Sequence, residues 1–252
     1  MKWLTVARDL KRRKARERNG LFVAEGVRTV EELVRSALVI EGALVTERAE
    51  ADGRSAELAR ALVARGVPVI AVTDAAFESA ADTGHPQGIL AIARQPERVL
   101  ADIALPETAR VLLLDAIQDP GNVGTLIRTA AAVGATAVVA LPGTVDVWNA
   151  KVVRSAVGAH FLLPAVEATL AEVQAFLLAQ RVTLWGTDAG GTPLAACTPP
   201  ARLALAVGNE GAGLSAALRA HCSTVVSLTM APGVESLNVA VAAGITLYAL
   251  RP

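Results

Sequence analysis

The chain has 252 residues, enough for two modest domains with separate cores, and its 24 basic and 24 acidic residues cancel to a formal net charge of zero, which by itself argues against a nucleic-acid partner. More than half of the residues are hydrophobic, yet no stretch reaches the roughly 18 uninterrupted apolar residues of a membrane helix, and no apolar leader core follows the basic N-terminus. Cys197 and Cys222 exclude a disulfide framework and a CxxC pair, so the chain reads as a soluble, cytoplasmic protein without a membrane partner.

The neutral average hides one local excess. Arg8, Lys11, Arg12, Arg13, Lys14, Arg16 and Arg18 crowd a short segment diluted only by Asp9 and Glu17, a positive patch suited to phosphates or simply a solvated helix face. Leu4 to Arg35 reads as helical with a break near Asn19-Gly20. Leu38–Thr46, Val67–Val72 and Gly88–Ala93 read as strands, with a helix at Ala56–Arg65 between the first two, giving a small α/β domain. The proline-bearing stretch Arg94–Arg110 reads as a linker, and the domain boundary is set near Leu105, dividing the chain into 1–104 and 105–252.

The second domain alternates. Strands are expected at Val111–Leu114, Ala137–Leu141, Val182–Trp185, Leu203–Val207 and Thr224–Leu228, with helices at Val123–Ala132, Val147–Ala156, Leu170–Gln180, Leu214–Ala220 and Asn238–Leu250. Such alternation implies an α/β fold with a mainly parallel sheet and helices on both faces. Three polar, glycine-bearing blocks punctuate it: DPGNVGTLIRTA (Asp119–Ala130), VGNEGAGLS (Val207–Ser215) and LTMAPGVESLNVAVAAG (Leu228–Gly244). Each follows a strand-like run and enters a helix-like one, so all three loops should open on one sheet edge, where open α/β folds bind ligands. The loop after the first strand lacks GxGxxG spacing, and no glycine cluster leads into Lys-Ser or Lys-Thr, which removes the dinucleotide and P-loop readings.

In order, spacing and flanking strands, the three blocks resemble the signature motifs of the SpoU (TrmH) branch of the SPOUT superfamily, RNA ribose 2'-O-methyltransferases that use S-adenosylmethionine. The opening KRRKARERNGLFVAEGVRTVEEL and HPQGILAIA (His85–Ala93) are similar to the small ribosomal-protein-like substrate-binding domain often fused ahead of that catalytic domain. The resemblance implies a trefoil-knotted cofactor site and an active site formed across a homodimer. The last helix agrees mildly, with Val239, Val241, Ile245, Leu247, Tyr248 and Leu250 around much of its circumference.

The same resemblance assigns catalytic positions to Arg128, Asn122, Glu210, Ser236 and Asn238, and an adenosine pocket to Thr187, Gly208, Leu228, Met230 and Leu237. A protonated guanidinium is a poor base, so physical chemistry favours Arg128 orienting the hydroxyl and an adjacent phosphate, with proton abstraction as the alternative. Asn122 can cap a helix while facing the ribose, Glu210 can brace Asn122 or the loop backbone, and Ser236 and Asn238 can bond substrate or cap the last helix. Glycines at 208, 211, 213 and 233 allow close backbone approach to the cofactor. One departure is Leu228-Thr229-Met230, where the family has an Ile-Pro-Met type of sequence; the missing proline weakens the constraint on that loop.

The plausible exposed aromatics are Trp3, Phe22 and Trp148, too few for extensive base stacking, and His85, His160 and His221 are scattered, so no metal is expected. The function expected is methyl transfer from S-adenosylmethionine to a ribose 2'-hydroxyl of structured RNA, with ribosomal RNA the favoured partner. The alternatives are an RNA-binding protein that kept the fold without catalysis and a tRNA-directed 2'-O-methyltransferase.

Overall fold

A computed structural model describes residues 2–51, 53–234 and 236–251. The chain runs α1 (Lys2–Asp9), α2 (Arg13–Asn19), β1 (Leu21–Glu25), α3 (Val27–Arg35), β2 (Ile40–Thr46), α4 (Glu47–Ala51), α5 (Gly53–Ala64), β3 (Val69–Val72), α6 (Asp74–Ala80) and β4 (Ile89–Arg94). It continues with β5 (Ala109–Asp115), α7 (Pro120–Ala132), β6 (Ala137–Ala140), α8 (Ala150–Ala156), β7 (Ala165–Glu167), α9 (Leu170–Ala179), β8 (Thr183–Pro193), β9 (Arg202–Gly208), α10 (Ala216–Arg219), β10 (Thr224–Ser227) and α11 (Val239–Ala249).

Two compact units result. The first takes the chain through Glu97 together with Trp148–Leu162, and the second takes Arg98–Val147 and the chain from Leu163 onward. In the first, a four-stranded sheet of order β1-β4-β2-β3 pairs β4 antiparallel to both neighbours and β2 parallel to β3. Leu4 and Ala7 of α1, Leu10 just past its end and Phe77 of α6 pack on Val23, Leu44, Leu90 and Ile92 of the strands.

Strand β1 lies inside the stretch expected to be helical. Gly20, in the left-handed region at φ 60°, ends α2, and Phe22, Val23 and Ala24 then gain full burial by pairing with β4. Tertiary pairing outweighs helical propensity over so short a run. The aromatics expected at the surface are also inside: Trp3, Phe22 and Trp148 are all buried. Phe22 sits 4.7 Å, centroid to centroid, from Trp148 and 5.9 Å from Phe161. That contact places Trp148–Leu162 in the first unit, although strand-helix alternation groups it with the second. Gly158 lets the segment in, because at φ 85° its absent Cβ would stand 2.4 Å from Cβ of Glu32.

The second unit is a six-stranded sheet of order β10-β8-β9-β5-β6-β7 in which every neighbouring pair is parallel. Val111 and Leu113 of β5 pack with Val173, Phe176 and Leu177 of α9 and Leu218 of α10. Leu112 and Leu114, of opposite parity, are equally buried, and on their face α7 and α11 pack against each other and against β6 and β9. β7 was not legible as a strand; it is a three-residue edge strand parallel to β6. Among the described residues no helix is long and apolar enough to cross a membrane.

Candidate active site

The carboxyl ends of β8, β9 and β10 and the start of α11 surround a cavity of about 420 Å³. β8 shapes one wall. It pairs with β10 up to Gly186, and pairing resumes only at Thr192, so residues 187–191 loop out and bring Thr187 and Asp188 to the cavity. Ser227 donates its hydroxyl to the Gly191 carbonyl at 2.9 Å and closes the loop.

The second wall is the turn after β9. Asn209 and Gly213 exchange backbone hydrogen bonds of 2.9 Å in both directions, while Asn209 Oδ1 accepts from Gly211 N and Ala212 N at 3.0 Å. The turn therefore folds back on the strand, and a Cβ on Gly208 would stand 2.2 Å from the carbonyl carbon of Gly213. Glycine is required at 208 by the chain's own close approach, independently of any ligand.

Thr187, Gly208, Leu228, Met230 and Leu237 all line this one cavity, as do Glu210, Ser236 and Asn238. Asn122 joins them through hydrogen bonds whose direction chemistry dictates. Asn238 Oδ1 caps α11 by accepting from Ala240 N at 2.9 Å and Val241 N at 3.3 Å, so its Nδ2 is left to donate to Asn122 Oδ1 at 3.0 Å. Asn122 Nδ2 then donates to Glu210 Oε1 at 2.9 Å. Since a carboxylate only accepts, the chain Asn238 to Asn122 to Glu210 is self-consistent, and the Asn122 amide has one orientation. Burial pushes the Glu210 carboxyl up, but hydrogen bonds from Asn122, its own backbone, Gln118 and Asp119 outweigh it and hold the group below the usual carboxylate range.

Arg128 is not brought into the cavity. It is exposed on α7, six residues past Asn122, and among the described residues it has no hydrogen-bond or ion-pair partner. Six residues of α-helix advance about 9 Å and turn the side chain roughly 120° away.

Several residues that build the site went unread in the sequence. Asp119 caps α7 by accepting from Asn122 N at 2.8 Å, and buried Asp115 accepts from Ser215 N at 2.6 Å. Asp188 accepts from Gly190 N at 2.9 Å and pairs with Arg219 at 2.6 Å; these two partners hold its carboxyl low while it lines the cavity. The signal was present for Asp119 as Asp-Pro-Gly and for Asn209 as Gly-Asn, both turn and cap patterns. Nothing in Asp115 itself marked it as an anchor. Among the described residues no group of three or more His, Cys, Asp or Glu is arranged to hold a metal ion.

An open parallel sheet with a largely apolar cavity at its carboxyl edge, edged by glycines and a few polar side chains, defines a small-molecule-binding α/β fold. Residues 109–248 match the SpoU rRNA Methylase family, and residues 5–91 match the MRM3-like substrate binding domain; the chain belongs to the SpoU rRNA methylase family. It is 38% identical to a 23S rRNA (guanosine(2553)-2'-O)-methyltransferase of Bacillus subtilis (strain 168), over 97% of this chain and 94% of the other. The crystal structure of the SpoU methyltransferase AviRb from Streptomyces viridochromogenes in complex with AdoMet superposes with a TM-score of 0.90 at 31% identity, covering 98% of this chain and 96% of that one. An AdoMet-bound rRNA methyltransferase from Sinorhizobium meliloti gives 0.86 at 28% identity, covering 99% and 94%.

Proposed function

We propose that this protein transfers the methyl group of S-adenosylmethionine to a ribose 2'-hydroxyl of ribosomal RNA. The observation that carries the reading is the hydrogen-bonded chain Asn238–Asn122–Glu210 running beside the cavity, in a fold shared with AdoMet-bound relatives. The cavity suits the cofactor: Leu228, Met230 and Leu237 offer apolar cover for a purine, while Thr187, Asp188 and Ser236 offer polar atoms for hydroxyl and ammonium groups. When bound, S-adenosylmethionine supplies a sulfonium-activated methyl group.

The chain's own residues then have to position a weak nucleophile. Asn122, fixed by Asn238 and Glu210, retains one amide proton and one carbonyl lone pair with which to orient the ribose. Arg128 steers the acceptor hydroxyl and its neighbouring phosphate and stabilises negative charge as it develops on oxygen. Arg128 is exposed and does not line its own cavity, and the reading includes a homodimer, as the family resemblance implies, in which Arg128 of one subunit serves the cavity of the other. Exposed Val241, Ile245 and Tyr248 on α11 supply an apolar face for it. A trefoil knot in the second domain also belongs to this reading.

Residues 1–104 act as the RNA-binding domain and 105–252, apart from the Trp148–Leu162 segment that belongs to the first unit, as the catalytic domain, working in the cytoplasm. In the basic arm Arg16 is buried and donates to the Leu10 and Lys11 carbonyls, while Arg12 and Arg13 pair with Asp9 and Glu17. Exposed Lys11, Lys14 and Arg18 are the side chains offered to phosphates. The test is transfer of radiolabelled methyl from S-adenosylmethionine to unmodified ribosomal RNA and, in parallel, unmodified tRNA, followed by nucleoside analysis. Label recovered as a 2'-O-methylnucleoside from ribosomal RNA supports the reading. Label in tRNA alone moves the substrate class, and cofactor binding without transfer to either RNA favours a non-catalytic RNA-binding protein.

A further inference from the structure

The first unit contains a cavity of about 290 Å³ with no part in the methyl-transfer site, lined by Glu25, Arg28, Thr29, His85 and Arg154 among others. Its chemistry is unusual at Glu25. This residue closes β1 with 1% exposure, and one carboxylate oxygen, Oε2, accepts from Asp82 N at 2.7 Å and lies 3.6 Å from the Arg154 guanidinium. The other, Oε1, is buried with no hydrogen-bond partner among the described residues. A buried, unsatisfied carboxylate oxygen is costly, and a ligand N–H donor would relieve that cost. Arg154 is already shared with Asp82 at 3.2 Å, whereas Arg28 and His85 are exposed at the cavity with no side-chain ion pair among the described residues.

We propose that this cavity is a recognition pocket for one unpaired guanine nucleotide of the RNA substrate, a proposal that rests on the RNA-directed reading above. A lone carboxylate oxygen in a cavity whose lining also carries Arg28 and His85 asks for a ligand with a donor edge and an anionic tail. Guanine presents adjacent N1–H and N2–H donors with no acceptor between them. Uracil flanks its single N–H with two carbonyl oxygens, and adenine and cytosine set a ring-nitrogen acceptor beside the amino group; each would press a lone pair toward Glu25. Arg28 is available to the guanine O6 and N7 acceptors or to the 5'-phosphate, and His85 to the phosphate. Single-stranded RNA is commonly read in this way, through hydrogen bonds to the edges of splayed bases.

The experiment is fluorescence anisotropy of the full chain with four labelled RNA pentamers, UUGUU, UUAUU, UUCUU and UUUUU. Wild-type protein should bind the guanine pentamer about tenfold more tightly than the others. Glu25→Gln should lose that preference, and Arg28→Ala should weaken binding. Equal binding of the four pentamers by wild-type protein overturns the proposal without any variant having to fold, and a guanine preference that survives Glu25→Gln overturns it as well. Because methyl transfer to ribosomal RNA is read separately, an active methyltransferase that binds all pentamers alike sinks the pocket alone. A chain that binds no RNA and transfers no methyl sinks the pocket together with the reading it rests on.

Discussion

Asn238 carries two functions that a single substitution can separate. Its Oδ1 caps α11 and its Nδ2 donates to Asn122. Asn238→Ala should cost about 1 kcal/mol in urea unfolding through the lost cap and should also slow methyl transfer. Asn238→Asp keeps a capping oxygen but replaces the donor by a carboxylate facing the Asn122 carbonyl. It should unfold at nearly the wild-type urea midpoint and still lose methyl transfer; full activity in Asn238→Asp would leave Asn238 a cap and nothing more. Glu210 gives a pH test. Its carboxyl is held below the usual range, so its contribution is complete above the unfolded pKa of about 4.3 and disappears as pH falls through the lower folded value. The difference in Tm between wild-type and Glu210→Gln should therefore be constant above about pH 5 and shrink below pH 4.3. A difference that grows on acidification would contradict the assigned hydrogen bonds.

At the scale of elements, the close return of the β9 turn predicts that Gly208→Ala is destabilising by about 1–3 kcal/mol, since its new methyl group would meet backbone rather than a movable side chain. Denaturation with and without cofactor would read it. Arg110 is the second element-level anchor: buried, it donates to the carbonyls of Leu250, Ala201 and Ala109, tying the end of α11 to the sheet. Arg110→Ala should lower Tm and raise hydrogen exchange selectively along the last turn of α11; uniform exchange would contradict the anchoring role. Neither feature was legible beforehand. Arg110 stood at the edge of a stretch read as linker, and its partners Ala201 and Leu250 lie 91 and 140 residues away. The parallel sheet, by contrast, was legible because buried parallel strands are continuous apolar runs such as Val111–Leu114 and Leu203–Val207. β1 was not, because Leu21–Glu25 is too short to set its own period against flanking helices.

For the whole molecule, the same limit applies to the site. The three glycine-bearing blocks showed which loops would meet, because each lies at the end of a parallel strand, and Asn122, Glu210 and Asn238 do meet. No periodicity could show that Arg128, only six residues from Asn122, would stand outside the cavity lining, since that depends on where the helix lies relative to the cavity. The homodimer proposed above would let Arg128 of one subunit serve the cavity of the other. Light scattering should give a mass near twice the 26.0 kDa of one chain, and Ile245→Asp should give monomers that have lost methyl transfer. A fully active monomer would contradict it.

The measurement that bears most directly on the central claim compares wild-type protein with Arg128→Ala, reading S-adenosylmethionine affinity by calorimetry and methyl transfer to unmodified ribosomal RNA in the same preparations. The predicted result is unchanged cofactor affinity with transfer reduced by about 100-fold or more, as expected when a group stabilising developing charge is removed. Undiminished transfer by Arg128→Ala, or transfer by neither protein despite cofactor binding, would contradict the account.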